Sequence, residues 1–236
     1  MAGMIVYNGV SLDSIGNIKI ADIHVSPIKY DEVTRPRAIR GGSVFVRSRA
    51  GTRTVPITFA VLEEDDINRQ RTLLAVSDWA KTDKEYKLEL PGHPEHYLMA
   101  VCTDKPDPSL RQWWESGLKL VFTCFENPFW NALYEKTATC GTAFTVLGNA
   151  EPLMRIERTV SGSAASNQSY GLDSRTMTFS SIPVGNMVID LNHQTAVVGS
   201  TDIMQYYNIS GKFLIPRTGG QTISGTGTIK YRERWE

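Results

Sequence analysis

A few groupings in the sequence carry side chains able to bind ions or move protons. In "GHPEH", His93 and His96 have a spacing that would suit a transition metal if Cys102 or Cys124 joined them. Prolines and a glycine surround the pair, no third ligand is near in sequence, and both cysteines fall in apolar strand patterns. The stretch therefore reads as a surface turn, and no metal is expected. The run Glu63, Glu64, Asp65, Asp66 sets carboxylates side by side as acid–base chemistry would require, yet it opens a helical pattern, where the positive end of the helix dipole accounts for it. The strongest charge feature is "RPRAIRGGSVFVRSRAGTR", in which Arg35, Arg37, Arg40, Arg47, Arg49 and Arg53 occur with no acid among them. Guanidinium forks hold phosphates or a partner's carboxylates, so these residues are candidates for an interface or a nucleic-acid-facing surface. The competing reading is a solvated hairpin, because Arg47 and Arg49 share one face of a strand. Phe45 is the only ring in the stretch, so the aromatic interleaving of a single-strand nucleic-acid binder is missing.

No G-x-S-x-G elbow, Walker loop, H-E-x-x-H or C-x-x-C is present, so neither an enzyme nor a cofactor is expected. "NQS" at Asn167 and "NIS" at Asn208 fit the glycosylation pattern but read as ordinary loops, and "GTG" at 225–227 reads as a bend or bulge in a strand. Cys102, Cys124 and Cys140 are odd in number and sit in or beside apolar strands, which predicts reduced core thiols.

The elements that must position these residues are mostly strands. "MIVYNGVSL" turns at Asn8-Gly9, "IGNIKIADIHV" alternates through Ile15, Ile18, Ile20 and Ile23, and "TVPITFAVLEE" places Val55, Ile57, Phe59 and Val61 on one face. "EEDDINRQRTLLAVSDWAK" predicts the one convincing helix, with Leu73, Val76, Trp79 and Ala80 on one arc. Beyond "ENPFWNALYE" the texture changes to Ser, Thr and Gly, with turn signals every ~8–12 residues, the rhythm of a β-sandwich. "NMVIDLNHQTAVV" reads as a hairpin turning at Asn192 and His193, and "GTIKYRERWE" as the final strand. A boundary falls near residues 127 to 136, giving domains 1–130 and 131–236 in a mainly β protein.

The 236 residues suffice for two domains, and 41% apolar with 21% charged residues is ordinary for a globular chain. Formal charge is zero, so no overall field steers the molecule to DNA or an anionic membrane. The opening "MAGMIVYNGV" lacks a basic region followed by a long apolar run, and no run approaches the roughly 18 residues of a membrane span. Folding in a cytoplasm is the expectation.

"GLKLVFTCFENPFW" poses a packing problem. Leu118, Leu120, Phe122 and Cys124 share one face, while the other, with Lys119, Val121, Thr123 and Phe125, is nearly half apolar. Val121, Phe125, Phe129 and Trp130 thus become interface candidates, to be covered by a neighbouring chain or by the closure of a single domain.

In their order, these motifs resemble the distal tail protein family, Dit, of long-tailed phages infecting Gram-positive bacteria. The residues are "VYNGV", then "RTVPITFAVLEEDDINRQRTLLAVSDWA", then "PEHYLMAV", then "GLKLVFTCFENP", and in the second half "VIDLNHQTAVV" and "IKYRERWE". "IPRTGGQT" departs from the family's compact Pro-Gly turn, and no inserted carbohydrate-binding module is present. The resemblance implies an N-terminal belt domain and a C-terminal galectin-like β-sandwich. It further implies a hexameric ring at the virion tail tip, assembled in the host cytoplasm around a channel for DNA. The implied partners are the tail tube protein, a tail-associated lysin or fibre protein, and receptor-binding components, with no membrane. A carbohydrate-binding module is the alternative, with Asn192, His193, Tyr231 and Trp235 as candidate sugar contacts, since sugar clefts combine a stacking ring with polar groups.

Overall fold

The computed structural model describes residues 4–36, 43–105, 118–208 and 210–236; Arg37 and Arg40 lie outside them. The chain divides into two compact units, Met1–Trp130 with Glu236, and Asn131–Trp235. Strands dominate both.

The first unit is organised by period-two alternation. Its strands are β1 (Val6–Tyr7), β2 (Val10–Ser11), β3 (Ile18–Ile23), β4 (Tyr30–Pro36), β5 (Ser43–Ala50), β6 (Arg53–Val61), β7 (Tyr86–Glu89), β8 (His96–Asp104) and β9 (Leu118–Cys124), with helix α1 at Asp66–Trp79. The β1–β2 hairpin turns through Asn8 (φ 51°) and Gly9 (φ 77°), the positive-φ pair that matches strand twist. One antiparallel sheet runs in the order β2-β1-β7-β8-β9-β6-β3. In β6, Val55, Ile57, Phe59 and Val61 are buried as the alternation predicts; the first three ladder against Phe122, Leu120 and Leu118 of β9, and Val61 against Ile18 of β3.

Helix α1 starts where Asp65 accepts a hydrogen bond from the Ile67 amide, satisfying an orphan donor of the first turn. Leu73, Val76 and Ala80 are buried as expected. Trp79 is only half-buried; its ring meets Tyr7 edge-on at 5.7 Å and Phe122 at 6.0 Å, and its indole N–H donates to the Val10 carbonyl at 3.0 Å. Tyr7 is fully buried, with its hydroxyl donating to the Ala100 carbonyl at 3.0 Å.

Short β10 (Trp130–Ala132) carries the chain across the division. The second unit contains β11 (Lys136–Thr139), β12 (Phe144–Val146), β13 (Ala150–Val160), β14 (Ala165–Leu172), β15 (Arg175–Ile182), β16 (Gly185–Asp190), β17 (Thr195–Val198), β18 (Thr201–Asp202), β19 (Gly219–Gln221) and β20 (Thr228–Trp235). One sheet runs β18-β17-β16-β13-β20-β11, all antiparallel; β14 pairs β15, and β12 pairs β19. Met154, Ile156, Met187, Ile189, Ile229 and Tyr231 from the large sheet share one buried cluster with Tyr170, Leu172, Met177, Phe179 and Ile182 of the β14–β15 pair. Two β layers therefore enclose a common core, a sandwich.

The "GTG" stretch lies ahead of β20 rather than within a strand, at φ +120° (Gly225) and +142° (Gly227), where side chains are strained. Cys102, Cys124 and Cys140 are free thiols, the first two buried and the third half-buried. Burial pushes Cys102 up to about 11 and Cys124 to about 12, so neither is a thiolate at neutral pH.

Candidate interaction surfaces

The arginine-rich stretch folds into a two-stranded antiparallel ribbon. Asp31 lies opposite Arg49, Glu32 opposite Ser48 and Val33 opposite Arg47, with a bulge before Thr34↔Phe45 and Arg35↔Val44 beyond it. Among the described residues, β4 and β5 pair only with each other, leaving both outer edges of the ribbon without a strand partner. Asp31, Glu32, Arg47, Ser48 and Arg49 are exposed, as are Tyr30 (42%), Val33 (37%) and Val46 (45%). The base is tied down by Lys29 donating its amide to Thr52 and Gly51 donating to Lys29, and by the Tyr30 hydroxyl donating to Glu236 at 2.6 Å.

Arg53, expected to share that surface, does not. It begins β6 opposite Cys124 at 4% exposure, with Nε and Nη1 lacking protein acceptors, and burial lowers its pKa. The alternation that buries Val55 and Ile57 carries Arg53 to the same inward face, so it is not available to a channel or a partner. Arg35 lies in β4.

The outer face of β9 is less bare than its composition suggests. Thr123 is buried and shares a 2.9 Å hydrogen bond with Thr103, whose hydroxyl also reaches the Val121 carbonyl at 3.2 Å. Val121 and Phe129 are half-buried, and Trp130 is 8% exposed with its ring 4.2 Å from that of His93. Only Phe125, at 52%, remains a large exposed apolar side chain of the predicted set. Thr103 of the neighbouring strand β8 thus partners Thr123, and the His93 ring lies against Trp130. His93 accordingly serves as a ring platform, with its pKa lowered by burial and by the nearby His96 and Arg53. Among the described residues, no group of three or more His, Cys, Asp or Glu side chains is arranged to hold a metal. No helix among them is long and apolar enough to cross a membrane.

The sugar-contact candidates separate in space. Asn192 and His193 line a polar cleft on the large sheet of the second unit, with Glu135, Leu153, Arg155, Asp190, Lys230 and Arg232. Tyr231 points to the other face of β20, 6% exposed in the core and packed on Phe144 with ring centroids 5.2 Å apart. Trp235 follows Tyr231 and Glu233 in the alternation and is half-buried outside the cleft lining. The four therefore do not converge, because period two puts Tyr231 and Trp235 opposite Lys230 and Arg232.

What organises the cleft is charge. Arg155 makes a bidentate pair with Glu135 at 2.7 and 2.9 Å and donates through Nε to Glu157 at 2.7 Å, while Lys230 reaches Glu157 at 2.7 Å. These contacts, Arg155's first, hold the Glu157 carboxyl below its usual range. Burial pushes Asp190 up, but hydrogen bonds from the His193 amide and ring and the Asn192 amide leave it lowered overall. Asn192 is consumed structurally: it accepts from the Met154 amide at 2.7 Å and donates to the Pro152 carbonyl at 2.9 Å. Glu135, Arg155 and Lys230 were not singled out from sequence; the only available signal was charged residues alternating with core residues in "MRIERTV" and "TIKYRER".

No protein-family model matches the sequence, and no curated protein is similar to it. Among solved structures, the fold is similar to the Dit (gp 19.1) protein of phage SPP1, described as a paradigm of hub adsorption apparatus in phages infecting Gram-positive bacteria. That similarity has a TM-score of 0.76 at 15% identity and covers 99% of both chains. A chain of the phage P2 baseplate in its activated conformation with Ca gives a TM-score of 0.47 at 9% identity over 94% of this chain and 91% of that one. One with Sr gives 0.48 at 9% identity over 98% and 97%. The mainly β, two-unit chain, with a single α-helix among the described residues, thus shares the Dit fold over 99% of its length.

Proposed function

We propose that this chain is a non-enzymatic structural hub at the tail tip of a long-tailed phage, a distal tail protein. In this reading the first unit forms the belt of a hexameric ring around a channel through which DNA passes. The second, galectin-like unit hangs outside and holds baseplate and receptor-binding components. The ring joins the tail tube protein on one side and a tail-associated lysin or fibre protein on the other, and it assembles in the bacterial cytoplasm before entering the virion. The observation that carries the reading is the agreement in fold with a phage hub protein over 99% of both chains, which spans both units and the connection between them.

Negative-stain imaging of the purified protein, alone and mixed with tail-tube and fibre partners, is expected to give rings with sixfold symmetry. A chain that stays monomeric with both partners present overturns the reading. A second reading, a module recognising host wall glycan, is favoured by the cleft at Asn192 and His193, although Glu135, Arg155 and Lys230 replace Tyr231 and Trp235 in it. Titration with bacterial wall polysaccharide decides: no heat or shift at millimolar sugar leaves the sandwich as scaffold.

A further inference from the structure

A second cleft in the sandwich unit shares no lining residue with the one at Asn192 and His193. Phe144, Thr145, Asp173, Arg217, Gln221 and Thr222 line it, and its volume of ≈ 480 Å³ lies among those of small-molecule sites, about 300–1,000 Å³, so it admits more than a single ion. Segments distant in sequence build it. The antiparallel β12–β19 pair sets Phe144 directly across from Gln221, which places ring and amide side by side on one face. Asp173 comes from the turn joining β14 to β15, at φ 54°, a left-handed conformation that a short polar side chain tolerates. Arg217 comes from the approach to β19 and donates from Nη2 to Asp173 at 2.8 Å, with both side chains about half exposed.

Gln221 is the residue that points to a ligand. It lines the cleft at only 6% exposure, and its Nε2 donates to the Arg217 carbonyl at 2.8 Å. That bond fixes which way the amide lies, because the flipped orientation would set two oxygens against each other. Oε1 is then left with no hydrogen-bond partner among the described residues. A buried acceptor without a donor is costly and uncommon in native proteins, so a hydroxyl supplied from outside would relieve it.

The rest of the lining sets the class of ligand. Arg217 and Asp173 neutralise each other, which disfavours a free phosphate or a metal cation. Phe144 is the one apolar member of the six, which disfavours a hydrophobic ligand. A ring beside closely set donors and acceptors suits a sugar, whose C–H face packs on the ring and whose hydroxyls both donate and accept. We propose that this cleft binds a neutral pyranose unit of a polysaccharide. Sugar hydroxyls donate to Gln221 Oε1 and the Asp173 carboxylate and accept from the remaining Arg217 donors, with Thr145 and Thr222 serving either role. The proposal rests on the glycan reading above and moves the contact from Asn192 and His193 to the β12–β19 pair; the hub reading does not depend on it.

Saturation-transfer difference NMR on the full-length chain tests this, with the methyl glycosides of glucose, galactose and N-acetylglucosamine as probes at millimolar concentration. The wild type is expected to bind at least one of them. Arg217→Ala and Asp173→Asn are each expected to weaken that binding by about tenfold, the loss of one or two hydrogen bonds to a charged group. Both residues are exposed and Asn keeps the left-handed backbone of position 173, so unchanged thermal melting is expected of each variant. Binding that survives undiminished in both variants overturns the proposal. Binding lost in His193→Ala but kept in both also overturns it, while leaving the glycan reading in place at the other cleft. A wild type that binds none of the three sugars, nor bacterial wall polysaccharide by calorimetry, overturns the proposal and the glycan reading together and leaves the hub untouched.

Discussion

Gly148 sits at φ +103°, and a Cβ built there would overlap the carbonyl oxygen of Arg234 on the last strand. Two independent costs coincide, a left-handed backbone and a backbone clash that no rotamer relieves, so Gly148→Ala is expected to destabilise the chain by about 2 kcal/mol or more in urea denaturation. The thiols give a second residue-scale expectation. With Cys102 pushed to about 11 and Cys124 to about 12 by burial, both resist iodoacetamide in the native protein at pH 8 and react once it is denatured. Glu157 gives the pH dependence. Hydrogen bonds from Arg155 and then Lys230 lower its pKa from the ordinary 4.5, so its contribution is fully present above that value and is lost as pH falls through the lower folded one. Acid denaturation of Glu157→Gln is therefore expected to be less steep below pH 4.5 than that of the wild type, when both are followed by circular dichroism.

Helix α1 and strand β9 show how much an element's own periodicity determines. The carboxylates before α1 read as a helix start, and Asp65 is its cap; Asp65→Ala is expected to cost about 1 kcal/mol, measured as a fall in the unfolding midpoint. In β9 the alternation separates Phe122, fully buried between Tyr7 and Trp79, from Phe125, which is half exposed. Phe122→Ala is expected to cost about 3–5 kcal/mol, and Phe125→Ala to stay within about 0.5 kcal/mol in the isolated chain. The inner face of β9 was legible because four apolar residues at period two can only face a core. Its outer face was not, because the Thr123–Thr103 hydrogen bond depends on β8 lying alongside, a pairing about twenty residues away in sequence. Of the apolar residues on the outer face of β9, Val121 is half-buried and Phe125 is exposed.

At the scale of the whole molecule, two compact units follow one another along the chain, each with its own buried apolar residues. Short strands, an Asn-Gly hairpin turn, one capped helix and a change of composition near residue 130 were all written in local patterns, since turn chemistry and side-chain alternation act within a few residues. The amino-acid sequence by itself determined these, and with them the mainly β character and the inward faces of β6 and β9. Only the tertiary structure decided that Arg53 leaves the arginine group for the interior, that Tyr231 turns its back on Asn192, and that among the described residues β4 and β5 pair only with each other. The reason is that alternation says which residues share a face. Which face is covered, and by what, is set by strand pairings between distant segments, and those depend on the whole chain being folded.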